Sequence, residues 1–234
     1  MSLVPANFDL HSVDFDALYQ SGQMFEGVDL PSIPWDIGAA QPVVIEAEQA
    51  GRFHGEVLDV GCGLGDNAIF LASQGHQVTG IDAAATAIKQ ARQRARQRGV
   101  DVQFTVADAT SLAGLEGCFD SALDAARYHC LDEDARHAYA AALHRATRPD
   151  ALLTLFCFPA GSTGLAAALG ISEENLRTTW SKAGWDITEL RLARYHANAA
   201  VGELLTAFGL DCEPVPGQPS RLQAPIWALQ AHRA

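Results

Sequence analysis

Four aspartates, Asp59, Asp66, Asp82 and Asp108, are spaced around a glycine triplet, Gly61, Gly63 and Gly65, that interrupts the stretch "EVLDVGCGLGDNAIFLASQG", Glu56 to Gly75. Glycine lets the backbone approach a ligand as closely as any residue can, and the loop lies between a strand-like run and a helical pattern. A dinucleotide fingerprint would carry glycine at the sixth loop position, where this chain has Asp66, whose carboxylate opposes a pyrophosphate. No Lys-Ser or Lys-Thr pair follows the glycines, so a triphosphate finds no neutralising cation. A cationic or zwitterionic ligand is expected instead. Asp82 closes the next strand-like run 21 residues beyond Gly61, close to the interval at which an acidic residue meets ribose hydroxyls. Asp108, in "VADAT", closes the run after that, where an adenine amino group could be read. A ligand with a cationic amino acid end, a ribose and an adenine, and without phosphate, matches S-adenosylmethionine (SAM), whose demethylated form is S-adenosylhomocysteine.

The expected cofactor contacts are Asp59 and Asp66 near the amino acid end, Gly61 and Gly63 for close packing, Asp82 on the ribose and Asp108 on the adenine. Cys62, Ala83, Ala109 and Asp124 adjoin these positions in the loop or at strand ends and complete the set. Asp82 and Asp108 could each cap a helix as well as bind. Cys62 lies inside the loop and reads as a small apolar filler more than as a nucleophile. His129 follows the fourth strand-like run and is a candidate general base, with a structural histidine as the alternative. The other histidines show no metal-ligand spacing, and no metal is expected.

These residues need a scaffold that brings them to one edge. From residue 56 onward short β-type runs alternate with helical patterns: "EVLDV", "NAIFLASQ", "QVTGID", "AATAIKQARQRARQR" and "VQFTVAD". That rhythm indicates parallel strands joined by crossover helices, in which ligands bind at the carboxyl ends of strands. Gly75 and Gly99 are placed to stop two of the helices. Further strands are expected at Phe119 to Asp124, Ala151 to Phe158, Ile187 to Tyr195 and Ile226 to Ala231, with helices over Asp132 to Thr147 and Ser172 to Ala183. The fold class is therefore α/β, with about seven strands. The run Lys89, Arg92, Arg94, Arg96 and Arg98 reads as a solvated helix face. The first 50 residues, with Phe8, Phe15, Tyr19, Phe25 and Trp35 among prolines, form an ordered cover or lid, and residues 51–234 form the catalytic domain. The segment from Ala197 to Ala224 is a long connection that caps a pocket or makes an oligomer contact.

Composition narrows the partners. Twenty-eight acidic against 16 basic residues give a formal net charge of -12, which disfavours nucleic acid. Five cysteines without CxxC pairing suggest no disulfide framework and fit a reducing cytoplasm. Neither a secretory leader nor a membrane span is expected, and the partner is a small-molecule acceptor bound by a monomer or homodimer.

At "VLDVGCGLGD" the chain resembles the class I SAM-dependent methyltransferases, over most of residues 30 to 160. That resemblance implies a doubly wound, seven-stranded, mostly parallel sheet whose last strand inserts antiparallel between its neighbours. "PWDIGAAQPVV", Pro34 to Val44, and "LDAARYHCLDEDAR", Leu123 to Arg136, are similar to bacterial small-molecule methyltransferases of the thiopurine, halide and heterocycle kind, including enzymes that methylate hydroxyquinolones. The second segment departs from the form "LDSALFH" at Ala125, Ala126, Arg127 and Tyr128. The likeness moves Trp35 toward a cofactor or acceptor contact and leaves Tyr19 open between core and ligand. Tyr19, Phe25, Trp35, Tyr128 and Phe158 are the expected acceptor pocket. Methyl transfer to a heteroatom of a small aromatic heterocycle is the expected activity, oxygen first, then nitrogen or sulfur. A noncatalytic SAM-binding protein and a thiol or halide methyltransferase are the alternatives.

Overall fold

A computed structural model describes residues 13–25, 28–161, 170–207 and 209–234. Phe8 of the expected cover and the side chain of Phe25 lie outside what is described. The central sheet contains β3 (Glu56–Val60), β4 (Gln77–Asp82), β5 (Gln103–Val106), β6 (Phe119–Ala125), β7 (Thr147–Cys157), β8 (Trp185–Asn198) and β10 (Gln218–Arg233) in the order β5-β4-β3-β6-β7-β10-β8. The pairs from β5 to β7 are parallel, and β10 runs antiparallel to both β7 and β8. The inserted last strand is thus in the expected place. An eighth, short strand, β9 (Glu213–Val215), pairs with β10.

Helices cover both faces, which is why the inner strands read as nearly continuous apolar runs. On one face α2 (Pro42–Gln49), α3 (Asp66–Ser73) and α4 (Ala85–Arg98) pack Val44, Ile69, Ile88 and Ala91 against Val57 and Leu123. On the other, α5 (Glu133–Ala146) and α6 (Glu173–Lys182) bring Tyr139, Leu143 and Trp180 against Leu58, Leu153 and Trp185. Asp132 and Ser172 cap these two helices by accepting from Ala135 and Asn175 N–H groups. Gly99 ends α4 in the left-handed region at φ +66°.

Two segments differ from the sequence expectation. β7 begins at Thr147, four residues early, because a register irregularity between Phe119 and Ser121 accommodates Pro149 and the left-handed Asp150. The proline-rich part of the 197–224 connection is largely strand: after a 3₁₀ turn (Ala199–Val201) and α7 (Gly202–Ala207), β9 and β10 form a hairpin. Pro225 is tolerated because β10 pairs there with β8 alone, contact with β7 starting only at Trp227.

Ahead of the sheet lie α1 (Phe15–Ser21) and a two-stranded ribbon of β1 (Gln23–Phe25) and β2 (Val28–Asp29). α1 docks on the start of α4, which lacks a side-chain cap of its own. Asp16 supplies one, accepting from the Thr86 N–H and hydroxyl at 2.6 and 3.1 Å.

Candidate active site

The carboxyl ends of β3, β4 and β6 open onto a cavity of about 400 Å³, roofed by α1 and residues 34–41 and walled by β8, β10 and α7. Its lining contains the expected Tyr19, Trp35, Gly61, Cys62, Gly63, Asp66, Asp82, Ala83, His129 and Phe158. Also lining it are Asn67, Arg127, Cys130, Tyr195, Leu204 and Leu205. The sequence left the 197–224 segment open between pocket and oligomer contact; Leu204, Leu205, Leu210 and Cys212 place it at the cavity.

The glycine loop holds positive φ at all three positions, +69°, +52° and +81° at Gly61, Gly63 and Gly65. The room the glycines leave is taken by this chain's own side chains. A Cβ at 61 would lie 2.8 Å from Arg127 Cβ, at 63 it would lie 2.7 Å from the Tyr19 hydroxyl, and at 65 it would meet Phe104 at 2.6 Å. The Trp35 indole N–H donates to that same Tyr19 oxygen at 2.9 Å, so two parts of the roof are bonded at the hydroxyl that packs on the loop.

Asp82 braces the loop from β4. Its Oδ2 accepts from Gly63 N–H at 2.9 Å and its Oδ1 from Ala84 N–H at 2.8 Å. Burial pushes its carboxyl above the usual range, with those two amides and the Arg127 charge opposing. It both caps and lines the cavity, and the Ala83 N–H also lies near enough to favour its charged form.

Asp66 starts α3 and lines the cavity, but its charge is engaged. Arg94 and Arg98 of α4 reach it, and Arg94 also makes a bidentate pair with Asp36 of the roof at 2.9 and 2.7 Å. The expectation of a wholly solvated basic helix face is therefore corrected for Arg94 and Arg98, which tie α3, α4 and the roof together. On its other side the roof is joined to β8. The Gln41 side chain exchanges two bonds with the His196 backbone at 3.0 Å, and Asn198 N–H donates to Pro34 C=O at 2.8 Å.

Several expected contacts are placed elsewhere. Asp59 is fully buried beneath the loop, away from the cavity lining. Neither of its oxygens has a partner in hydrogen-bond geometry, although the Ala68 N–H comes near enough to oppose the shift of its carboxyl to about 8. Burial is the main cause, followed by repulsion from Asp124 and Asp82. Asp124 also lies below the surface. It accepts from Arg127 N–H at 2.7 Å, Tyr128 N–H at 3.3 Å and Tyr139 hydroxyl at 2.9 Å, so it shapes the turn after β6. Burial raises its carboxyl to about 6 despite these bonds. Asp108 is exposed and off the cavity lining because its Oδ1 is taken by the N–H and hydroxyl of Thr110, and Ala109 packs into the main core. Tyr128, on a 3₁₀ turn (Tyr128–Cys130), points into the core against Trp180 and Tyr139, with its hydroxyl on Asn175. Aromatic burial outcompetes the pocket for it.

His129 is 5% exposed, its ring centroid 4.7 Å from that of Phe158 with the planes tilted by 53°. Its Nδ1 accepts from Phe158 N–H at 3.4 Å, which assigns the neutral ring's proton to Nε2. Burial, then the charges of Arg136 and Arg127, lower it to about 3. Cys62 is buried, and burial with the nearby Asp59 and Asp82 charges pushes its thiol up, as suits a filler. Among the described residues no His, Cys, Asp and Glu cluster is placed to hold a metal, and no helix is long and apolar enough to cross a membrane.

The donor set fits a cofactor without phosphate, since acids outnumber the single arginine along the cavity and the loop is braced by Asp82. A methyltransferase domain model matches residues 57–150. The 2-heptyl-1-hydroxyquinolin-4(1H)-one methyltransferase of Mycobacteroides abscessus is 36% identical over 168 residues, which cover 70% of this chain and 74% of that protein. A structure from a study of the conversion of a disulfide bond into a thioacetal group during echinomycin biosynthesis is 33% identical. It has a TM-score of 0.76 and covers 94% of this chain and 90% of that one. A SAM-dependent methyltransferase from Methanosarcina mazei, 20% identical with a TM-score of 0.62, shares the fold over 83% of this chain and 98% of its own. The chain belongs to the class I methyltransferase family. Its activity is SAM-dependent methyl transfer, and SAM is its cofactor.

Proposed function

We propose that the chain methylates a heteroatom, oxygen first, of a small flat aromatic heterocycle. The observation that carries this reading is one continuous cavity that brings Asp82, Ala83 and Gly63, with Trp35 beside the loop, together with an apolar wall of Phe158, Leu204 and Leu205. The named substrate of the mycobacterial relative, a hydroxyquinolone, supports the same class. SAM supplies a sulfonium-bound methyl; when the acceptor's lone pair forms the new bond to carbon, the carbon–sulfur pair stays on sulfur as the neutral thioether of S-adenosylhomocysteine.

The protein's part is positioning. Asp82 would hold the ribose, with Cys62, Gly63 and Ala83 beside it, and Trp35 and Tyr19 would close over the loop. Phe158 and the leucines of the α7 segment would orient a ring and exclude water. His129, neutral and protonated on Nε2, is suited to donate a hydrogen bond or to hold the Phe158 backbone, and a ring lowered to about 3 is a weak proton acceptor at neutral pH.

Mass spectrometry across phenols, N-hydroxy heterocycles, amines, thiols and halides, paired with titration calorimetry against SAM, S-adenosylhomocysteine and NAD, tests the reading. Thiols belong in the screen because the relative matched at a TM-score of 0.76 comes from work on sulfur chemistry. Methylated hydroxy-heterocycles with SAM binding are expected. Turnover confined to halides or thiols, or SAM binding without turnover of any acceptor, would overturn it.

A further inference from the structure

We propose that Arg127 receives the acceptor as an anion, so that the nucleophilic atom arrives already deprotonated. This rests on the acceptor site assigned above. Arg127 is the one arginine or lysine among the residues lining the cavity, at the carboxyl end of β6 between the glycine loop and the apolar wall. The carboxylates around the same cavity have partners of their own. Asp36 and Asp66 pair with Arg94 and Arg98, Asp16 with Thr86, and Asp82 with two backbone N–H groups. Arg127 forms no ion pair with a carboxylate among the described residues; its side chain reaches the Cys130 sulfur, a weak acceptor.

Its placement is held rather than loose. The aliphatic stem packs where a Cβ at Gly61 would stand, and its N–H is tied to Asp124. The groups that feel its charge are Asp82 from β4, Asp124 from β6, Tyr139 from α5, and His129 and Cys130 on its own turn. Arg127, half-buried in the cavity lining and without a carboxylate ion pair among the described residues, has its charge available to one anion. The acceptor's ionised oxygen or sulfur is such an anion, and it is also the form that can attack without surrendering a proton in the site. Its proton goes to solvent before binding, its lone pair forms the bond to the methyl carbon, and no protein base is consumed. That agrees with His129, whose Nδ1 lone pair already accepts from the Phe158 N–H.

A chromophoric acceptor, a nitro-substituted hydroxyquinoline whose anion absorbs in the visible, tests the proposal without turnover. It is titrated with pH in the presence of S-adenosylhomocysteine, free and bound to wild type, Arg127→Leu and Arg127→Lys. Bound to wild type, the probe is expected to ionise about a pH unit or more below its solution value. Arg127→Leu should lose that shift and bind the anion about 10- to 100-fold more weakly, and Arg127→Lys should restore part of both. The S-adenosylhomocysteine Kd should stay within about threefold, which also reports that the variants fold. Unshifted ionisation in the wild type, or the same shift in Arg127→Leu, overturns the proposal. Loss of S-adenosylhomocysteine affinity with the probe's shift intact also overturns it, assigning Arg127 to the cofactor's carboxylate. A wild type that shifts the probe but methylates no heterocycle would instead sink the activity proposed above and leave the anion site standing.

Discussion

Replacing Gly63 by alanine is expected to destabilise the cofactor-free protein through one identifiable contact, the Tyr19 hydroxyl. The new Cβ would lie 2.7 Å from that oxygen but 3.6 Å from the ring carbon bearing it, and the backbone at 63 has φ +52°. Left-handed backbone costs alanine about 1 kcal/mol relative to glycine whatever the neighbour. Pushing Tyr19 away also breaks the 2.9 Å bond from Trp35, a loss of about 1 kcal/mol, so Gly63→Ala should cost about 2 kcal/mol in all. Tyr19→Phe removes the clashing oxygen and leaves a carbon at ordinary van der Waals distance. In that background Gly63→Ala should cost only the backbone part, about 1 kcal/mol, giving a coupling of about 1 kcal/mol across the cycle. Urea unfolding of the four proteins without ligand measures it, and thermal midpoints should move by roughly 2 to 4 °C per kcal/mol. Equal losses in both backgrounds would refute the contact and leave backbone strain as the whole effect.

Asp59→Asn should flatten the pH dependence of stability. Because the folded carboxyl is raised to about 8 from an unfolded value of about 3.9, its contribution is full below about pH 4 and lost as pH rises toward 8. Unfolding at pH 5 and pH 8 should therefore show a smaller fall for the variant, and parallel curves would count against the buried acid. Tyr139→Phe strips Asp124 Oδ2 of its hydroxyl donor inside the core and should cost about 1.5 to 3 kcal/mol by the same assay, a neutral result contradicting the bond. Asp36→Ala should lower the thermal midpoint by a couple of degrees, about 1 kcal/mol after discounting partial exposure, with the difference shrinking in 1 M salt. A salt-independent loss would mean that packing of the roof, and not its ion pair, is what matters.

The sheet was legible because strand and helix periods alternate cleanly from Glu56 on, and the glycine stops at α4 and the caps at Ser172 and Asp132 are local signals. The placement of the glycine loop and of Asp82 at the ends of adjacent strands was legible for the same reason, each following from its own strand and the turn after it. What sequence spacing could not supply was competition among distant partners. Arg94 meets Asp66 from 28 residues away and Asp36 from 58, so neither the basic run nor the acid at α3 showed its engagement in advance. Asp108 went to Thr110, a partner two residues on that was visible in "DAT", where a threonine after an acid is a local alternative to ligand binding. Tyr128 shared a segment with His129 and Arg127, but a 3₁₀ turn sends neighbouring side chains in different directions, and its ring joined the Trp180 cluster. Leu204, Leu205 and Leu210 carried only an apolar pattern, with nothing to say which surface it would cover.

Beyond Trp227 toward its start, β10 leaves β7 and continues with β8 as a ribbon that outruns the rest of the sheet. Tyr195, His196, Ala197 and Ala224 on that ribbon, with the α7 segment it encloses, make one wall of the cavity, whereas the loop, Asp82 and Arg127 belong to β3, β4 and β6. The two halves of the site therefore answer to different parts of the chain. Insertions, deletions and side-chain exchanges between Asn198 and Gln218 would change that wall of the cavity without disturbing the parallel strands that carry the glycine loop and Asp82. If the acceptor site proposed above is right, the segment between Asn198 and Gln218 is where acceptor selectivity would be altered at least cost to the sheet.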